Sequence, residues 1–398
     1  MTVSSLDAPE SAEARYDRPS VGALWLTAFA GHRNAGFTLG PLTLLSGPSG
    51  SGKTTALRAY EALARLGGGA GLADVFPDPA ACVPERARPD AQGRRGFRIG
   101  CTANGPEGPV RLDVAVQAEP ELRIVGERLS SGGHVLLETA LRDPGRPFVQ
   151  AAWRSAGSAG SATGSAGSAG SSAVTRGPLP DDRLGTALLP LRVAGRTAGE
   201  RRVLAAAEQM VVALRSVFAC DPRPARMRTG VRLGAGRLLG GCDNLAEVLW
   251  RTRAECGRRH GLLVAAVRAG CAGEVADLLA LSPGDGRVHA VLDRGDGVRT
   301  PLGLLGDGEL RYLALALVLL TGPGVLEVDP AGEVPAALQT LTVLADGLDR
   351  GLDARQTREL VGLAVRMCGR GHIRLVGAVA DASWAAGTAG VTVVDLGP

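Results

Sequence analysis

From Leu24 the apolar and polar positions predict strand, turn, strand: LWLTAF, a polar break over residues 31–36, then FTLGPLTLLSG. The run TTALRAYEALARL changes period. Leu57, Tyr60 and Leu63 recur on one helical face, and Gly67, Gly68 and Gly69 stop the helix. The chain therefore opens as strand, glycine-rich loop, helix. Residues 70–108 are rich in proline and charge and predict no element. VRLDVAVQ, ELRIVGERL and HVLLETAL predict three antiparallel strands. In the second half, residues 198–218 and 244–271 have helical periodicity, and VHAVLDR predicts a strand. Residues 309–320 form a strongly apolar helix. GVLEVD predicts a buried strand, residues 336–348 and 354–367 helices, and IRLVGAVA and VTVVDL further strands.

These elements predict an α/β fold with an antiparallel β insertion and a helical middle segment. Residues 1–20 are polar and read as a disordered leader, and 21–398 as one domain. Within it, 21–150 hold the glycine loop and a β lobe, 151–178 a low-complexity linker, and 179–398 a helical lobe. The linker centres on SAGSAGSATGSAGSAGSSA at 155–173, a composition that carries no chemistry.

The chain has 398 residues, 45% hydrophobic and 21% charged, which excludes a disordered chain, a collagen and a small disulfide scaffold. A net charge of +4 neither demands nor excludes nucleic acid, so DNA stays open as a partner. Of the 44 lysine and arginine residues one, Lys53, is lysine. A bias that put arginine everywhere else spared this position, and a tight phosphate site needs the compact ammonium. The seven cysteines are widely spaced and form no C-x-x-C, and the five histidines form no i,i+4 pair. That predicts reduced thiols and no structural metal. The first twenty residues carry no apolar run, and the longest apolar stretch, residues 312–320, is far short of a membrane span. The expectation is a cytoplasmic protein without a membrane segment.

Gly47, Pro48, Ser49, Gly50, Ser51, Gly52, Lys53, Thr54 and Thr55 match G-x-x-x-x-G-K-[ST] without departure. The glycines let backbone N–H groups turn inward on phosphate oxygens, and the following helix brings its positive end. Lys53 would reach the outer phosphates of ATP, and the Thr54 hydroxyl Mg²⁺.

Further on come LLGDGELR, an apolar helix and GVLEVDP. With the opening strand pair and the segment Cys242-Asp-Asn-Leu-Ala-Glu-Val-Leu249, this layout resembles ABC-type ATPases of the RecF, SMC and OLD-nuclease lineage. It is most similar to short members that carry the head alone, and the similarity runs in order over about residues 24–385. The resemblance implies a P-loop NTPase head. It also implies a composite site, in which Gly306, Asp307, Gly308, Glu309 and Arg311 of one chain close over ATP held by another, so that ATP drives a homodimer. A protein partner stays unidentified.

Three departures from the family pattern bear on rate. Gly306 replaces the signature serine. The strand GVLEVD carries one acid at its tip: either Asp329 is the Mg²⁺ residue and Pro330 replaces the catalytic glutamate, or Asp329 is catalytic and Val328 takes the metal place. Glu327 or Glu333 would then substitute. Third, Ala380 or Asp381 stands where a switch histidine belongs. No glutamine in residues 70–117, Gln92 included, sits in a recognisable Q-loop. The reading is a slow ATPase switch in DNA-related or defence processes. The alternatives are a nucleotide-gated interaction protein with little turnover, and a small-molecule P-loop kinase. A transporter subunit and a nuclease are not supported.

Overall fold

The computed structural model describes residues 18–155, 174–234, 236–282, 284, 286–328, 332, 334–335 and 338–397. Two sheets organise the site. The first is antiparallel and contains β1 (Ser20–Phe29), β2 (His32–Thr38), β4 (Arg95–Asn104), β5 (Val110–Glu119), β6 (Arg123–Ser131), β7 (His134–Ala140), β8 (Phe148–Arg154) and β9 (Val174–Pro180). Its order is β2-β1-β4-β5-β6-β7-β8-β9. The second is parallel, in the order β10-β15-β16-β3-β17. It comprises β3 (Leu42–Ser46), β10 (Val217–Cys220), β15 (Leu341–Ala345), β16 (Ile373–Val379) and β17 (Val391–Asp395). A smaller antiparallel group, β11 (Val231–Arg232), β12 (Asp277–Leu281), β13 (Arg287–Gly295) and β14 (Val298–Pro301), lies beside the helical part.

The helices of eight residues or more are α1 (Lys53–Gly67), α2 (Ala198–Arg215), α3 (Leu245–Glu255), α4 (Gly257–Gly270), α5 (Asp307–Leu320) and α6 (Ala354–Cys368). Helix α1 lies between the two sheets: Leu57, Tyr60 and Leu63 pack with Ile99 and Leu112 of the antiparallel sheet and with Leu45, Leu344 and Val376 of the parallel one. Alternate residues of the same parallel strands, Leu44, Val343 and Leu375, turn to the opposite face. There they meet Leu313, Leu317 and Leu360 of α5 and α6. The parallel strands are thus buried on both faces, which explains their near-continuous apolar runs.

Several expectations are corrected. Residues 336–348 do not form one helix. Residues 341–345 within them are β15, a central strand paired with both β10 and β16. A short, wholly apolar run does not tell a buried strand from a buried helix by period alone. Residues 324–328 do not enter the parallel sheet: Leu326 makes an isolated bridge to Leu238, and Asp329 falls outside the described residues. Residues 244–271 divide into α3 and α4 at Cys256, whose φ of −149° and ψ of 85° break the helix. The antiparallel sheet adds β4, β8 and β9 to the strands predicted, β4 in the segment that predicted nothing, and residues 32–36 of the expected polar break belong to β2. The low-complexity run joins β8 to β9, which pair antiparallel with Arg154 opposite Val174. It therefore connects the arms of one hairpin. Residues 151–154 and 174–178 of the expected linker belong to those strands.

Candidate functional site

β3 delivers the chain into the loop 47–52, and α1 begins at Lys53. Gly52 is the N-cap of that helix at φ 94°. A Cβ there would stand 2.5 Å from the ring of His32, so both conformation and space demand glycine. His32 Nε2 lies 3.0 Å from the Gly52 carbonyl and holds the loop against the β1–β2 hairpin. Lys53 folds back over the loop, donating from Nζ to the carbonyls of Gly47 and Pro48, the latter at 2.8 Å.

The Thr54 hydroxyl points across the sheet. It donates to Asp346, 3.0 Å to Oδ2 and 3.2 Å to Oδ1. Asp346 directly follows β15, and β15 is separated from β3 by β16 alone. The carboxylate thus emerges at the same carboxyl end of the sheet as the loop, where ligands of open parallel sheets bind. A cavity of about 520 Å³ lies there. Gly47, Ser49, Gly50, Gly52, Lys53, Thr54 and Thr55 line one side. Asp346, Gly347, Asp349, Arg350 and residues 378–380 line the other. Asp349 accepts from the Ala380 backbone N–H at 2.9 Å, which ties the ends of β15 and β16 together.

The residues the sequence proposed for the distal half separate into different places. Glu327 is exposed and lines another cavity, with Glu61, Arg65 and Arg215. Its N–H bonds the Leu238 carbonyl at 2.9 Å. Asp329 and Glu333 lie outside the described residues. Asp381 turns onto its own chain, accepting from the Ser383 N–H at 2.8 Å and its hydroxyl at 2.7 Å. Those bonds hold its carboxyl below the usual range. Gln92 accepts from Arg94 at 2.7 Å in a surface turn remote from this cavity.

None of residues 306–311 lines the cavity of the glycine loop. Gly306 caps α5, and Gly306 and Asp307 are exposed. Asp307 pairs with Arg228. Glu309 is occupied within its own chain, accepting from the Gly306 N–H at 3.1 Å and the Ala272 N–H at 2.9 Å. Gly308 allows a close approach: a Cβ there would stand 2.2 Å from the Gly351 carbonyl oxygen. Arg311 is buried, 4% exposed, and is no surface contact. It donates to the Pro222 carbonyl at 2.6 Å, to Gly347 at 2.9 Å and to Asp346 at 3.3 Å. Glu309 and Arg311, expected to meet the nucleotide of a second chain, are both engaged within their own chain. Glu309 caps α5, and Arg311 fixes the turn that follows β15.

Sequence reading missed His32, Asp346, Asp349 and Arg350. A signal for Asp346 exists: LTVLAD is β-branched and apolar and ends in an acid, like GVLEVD.

No protein-family model and no curated protein matches the chain. Its structural neighbours are SMC head domains. An SMC head bound to the C-winged helix domain of ScpA is 12% identical over 90% of each chain, with a TM-score of 0.49. The SMC head domain from Thermotoga maritima is 12% identical over 91% of this chain and 89% of that one, with a TM-score of 0.39. An Smc head with an extended coiled coil, bound to the C-terminal domain of ScpA and derived from Pyrococcus furiosus, is 10% identical over 91% and 90%, with a TM-score of 0.45. Among the described residues no helix is long and apolar enough to cross a membrane, and no group of three or more His, Cys, Asp or Glu could hold a metal by itself.

Proposed function

We propose that this chain is an ATP-binding head of the RecF, SMC and OLD type, acting as an ATP-gated dimerising switch with slow hydrolysis. The observation that carries the reading is the bond from Thr54 to Asp346 across the mouth of the loop. A hydroxyl and a carboxylate side by side are hard oxygen donors. They suit Mg²⁺, which takes one or two protein oxygens and completes its shell with water and phosphate. The residues present therefore fit Mg-ATP. Thr54 and Asp346 would hold the metal, and bound Mg²⁺ would neutralise phosphate charge. The N–H groups of 47–53 and the α1 terminus bind the phosphates. Lys53 exchanges its loop carbonyls for phosphate oxygens.

Slow turnover follows from what surrounds Asp346. The next residue is Gly347, which has no side chain to take a proton from water. The other carboxylate on the cavity, Asp349, already accepts from Ala380. Position 380 has no imidazole. A positioned general base contributes roughly 10²–10⁴-fold, so turnover falls well below the enzyme median of about 10 s⁻¹. Gly306 and Gly308 open α5 outside the chain's own cavity. That supports pairing with a second copy, whose loop the α5 N-terminus would meet.

Calorimetry with Mg-ATP on the parent, Lys53→Ala and Lys53→Arg tests the site. Binding should be lost in both variants, because the planar fork does not replace a compact ammonium. Equal affinity in the parent and Lys53→Ala rejects the reading. Sizing with and without ATP tests the dimer, and steady-state phosphate release, with and without DNA, tests the rate.

A further inference from the structure

Gly347 occupies the left-handed region at φ 61°. A Cβ at this position would stand 2.8 Å from Nε and Nη2 of Arg350 and 2.9 Å from its Cζ. The guanidinium therefore fills the space that a side chain at 347 would take. The placement is set by a tight turn, closed by the Arg350 N–H on the Gly347 carbonyl at 3.0 Å. The turn is held from beneath by Arg311.

Arg350 lines the same cavity as Lys53, Thr54 and Asp346. Among the described residues its side-chain partner is Asp221 at 3.4 Å, and Asp221 also receives Arg311 at 3.2 Å. The Arg350 and Asp221 side chains are 57% and 47% exposed. An ion pair so long and so open contributes little. An arginine on a phosphate cavity, held by a weak partner, exchanges that partner readily for a doubly charged oxyanion, which its fork matches in shape.

We propose that Arg350 binds the terminal phosphate of the bound nucleoside triphosphate. The proposal rests on the nucleotide-site reading above and deepens it. Asp346 sits against Thr54, where the metal and outer phosphates belong, and the Arg350 guanidinium adjoins the next residue, Gly347. The group it meets is therefore the last phosphate. Arginine stays protonated and takes no proton from water. With this cation at the end of the phosphate chain, the site discriminates triphosphate from diphosphate.

The test is calorimetric titration of the full chain with Mg-ATP and, separately, Mg-ADP, on the parent, Arg350→Ala, Arg350→Lys and Lys53→Ala. Arg350→Ala should weaken ATP at least tenfold and ADP less than twofold. Arg350→Lys should fall between, since it keeps the charge and loses the fork. Urea unfolding of Arg350→Ala should match the parent, because the side chain is more than half exposed. Equal losses for ATP and ADP, or none for either, overturn the role of Arg350 while the Lys53-dependent site stands. A parent that binds neither nucleotide in a Lys53-dependent way rejects the site itself, and this proposal with it.

Discussion

The Thr54 hydroxyl donates to both carboxylate oxygens of Asp346, at 3.0 and 3.2 Å, across a sequence separation of 292 residues. The contact joins the first turn of α1 to the end of β15, and so couples the glycine loop to the far half of the chain. Arg311 extends the connection, since its guanidinium binds the Asp346 and Gly347 carbonyls from the first turn of α5. Loop, acid and α5 terminus thus form one mechanical chain.

Asp346→Asn keeps the shape and removes the charge. Mg-ATP should bind about 10–100-fold more weakly, the range seen when groups around a metal are removed. ATP affinity in EDTA should not change. Glu327→Gln, in a different cavity, should match the parent in both titrations. A metal-dependent loss in Glu327→Gln and none in Asp346→Asn would return the metal site to the segment around residue 329.

Arg311→Ala should cost about 2–4 kcal/mol of unfolding free energy, because carbonyls of Pro222, Asp346 and Gly347 lose a shared charged donor in the interior. Arg311→Lys should recover less than half, since one ammonium does not replace a fork that serves three carbonyls. Urea titration followed by circular dichroism gives both values. A loss under 1 kcal/mol for the alanine variant would contradict the bonding described.

Replacing residues 156–173 by a short turn should leave the fold and ATP affinity intact, because the strands on either side, β8 and β9, already pair up to Arg154 and Val174. Each halving of a loop recovers about 0.6 kcal/mol of closure entropy, so stability should rise by about 1 kcal/mol. A melting temperature several degrees lower would show that the segment makes contacts the fold needs.

Glu127 is a fully buried carboxylate. It accepts from the N–H groups of Gly185 and Thr186 at 2.6 Å each and from the Thr186 hydroxyl. Burial pushes its carboxyl above the ordinary value of 4.5 and outweighs the opposing pull of those donors. The native chain therefore binds this proton more tightly than the unfolded one. The stabilisation is complete below 4.5 and is lost as pH rises through the folded-state value. The stability of the parent relative to Glu127→Gln should fall as pH climbs from 4 towards 7. A difference that stays flat with pH would refute this.

Local chemistry was legible in the residues. The glycine loop, the one lysine and the first residues of the helix after it lie within nine consecutive positions, 47–55. Their roles follow from backbone freedom, a helix terminus and a compact cation, none of which needs a distant partner. The long periodic segments behaved likewise: 354–367 became α6, and 309–320 fell within α5. The acid opposite Thr54 was not legible. GVLEVD and LTVLAD are similar as strings, each a mostly apolar segment with one polar residue inside it and an aspartate at its end. Strand order separates them, placing residues 341–345 next but one to β3 and leaving 324–328 against Leu238.

Arg311, Glu309 and Arg350 teach the same lesson. On paper, two of them belonged to a nucleotide contact and the third to nothing. In the fold, Arg311 is buried among carbonyls and Glu309 caps its own helix, while Arg350 fills the space beside Gly347. What the sequence determined was the chemistry that neighbours along the chain create together. The tertiary structure decided every role that depends on which strand lies beside which. Pairing between distant strands is fixed by burial on both faces of a sheet, and a single segment does not encode it.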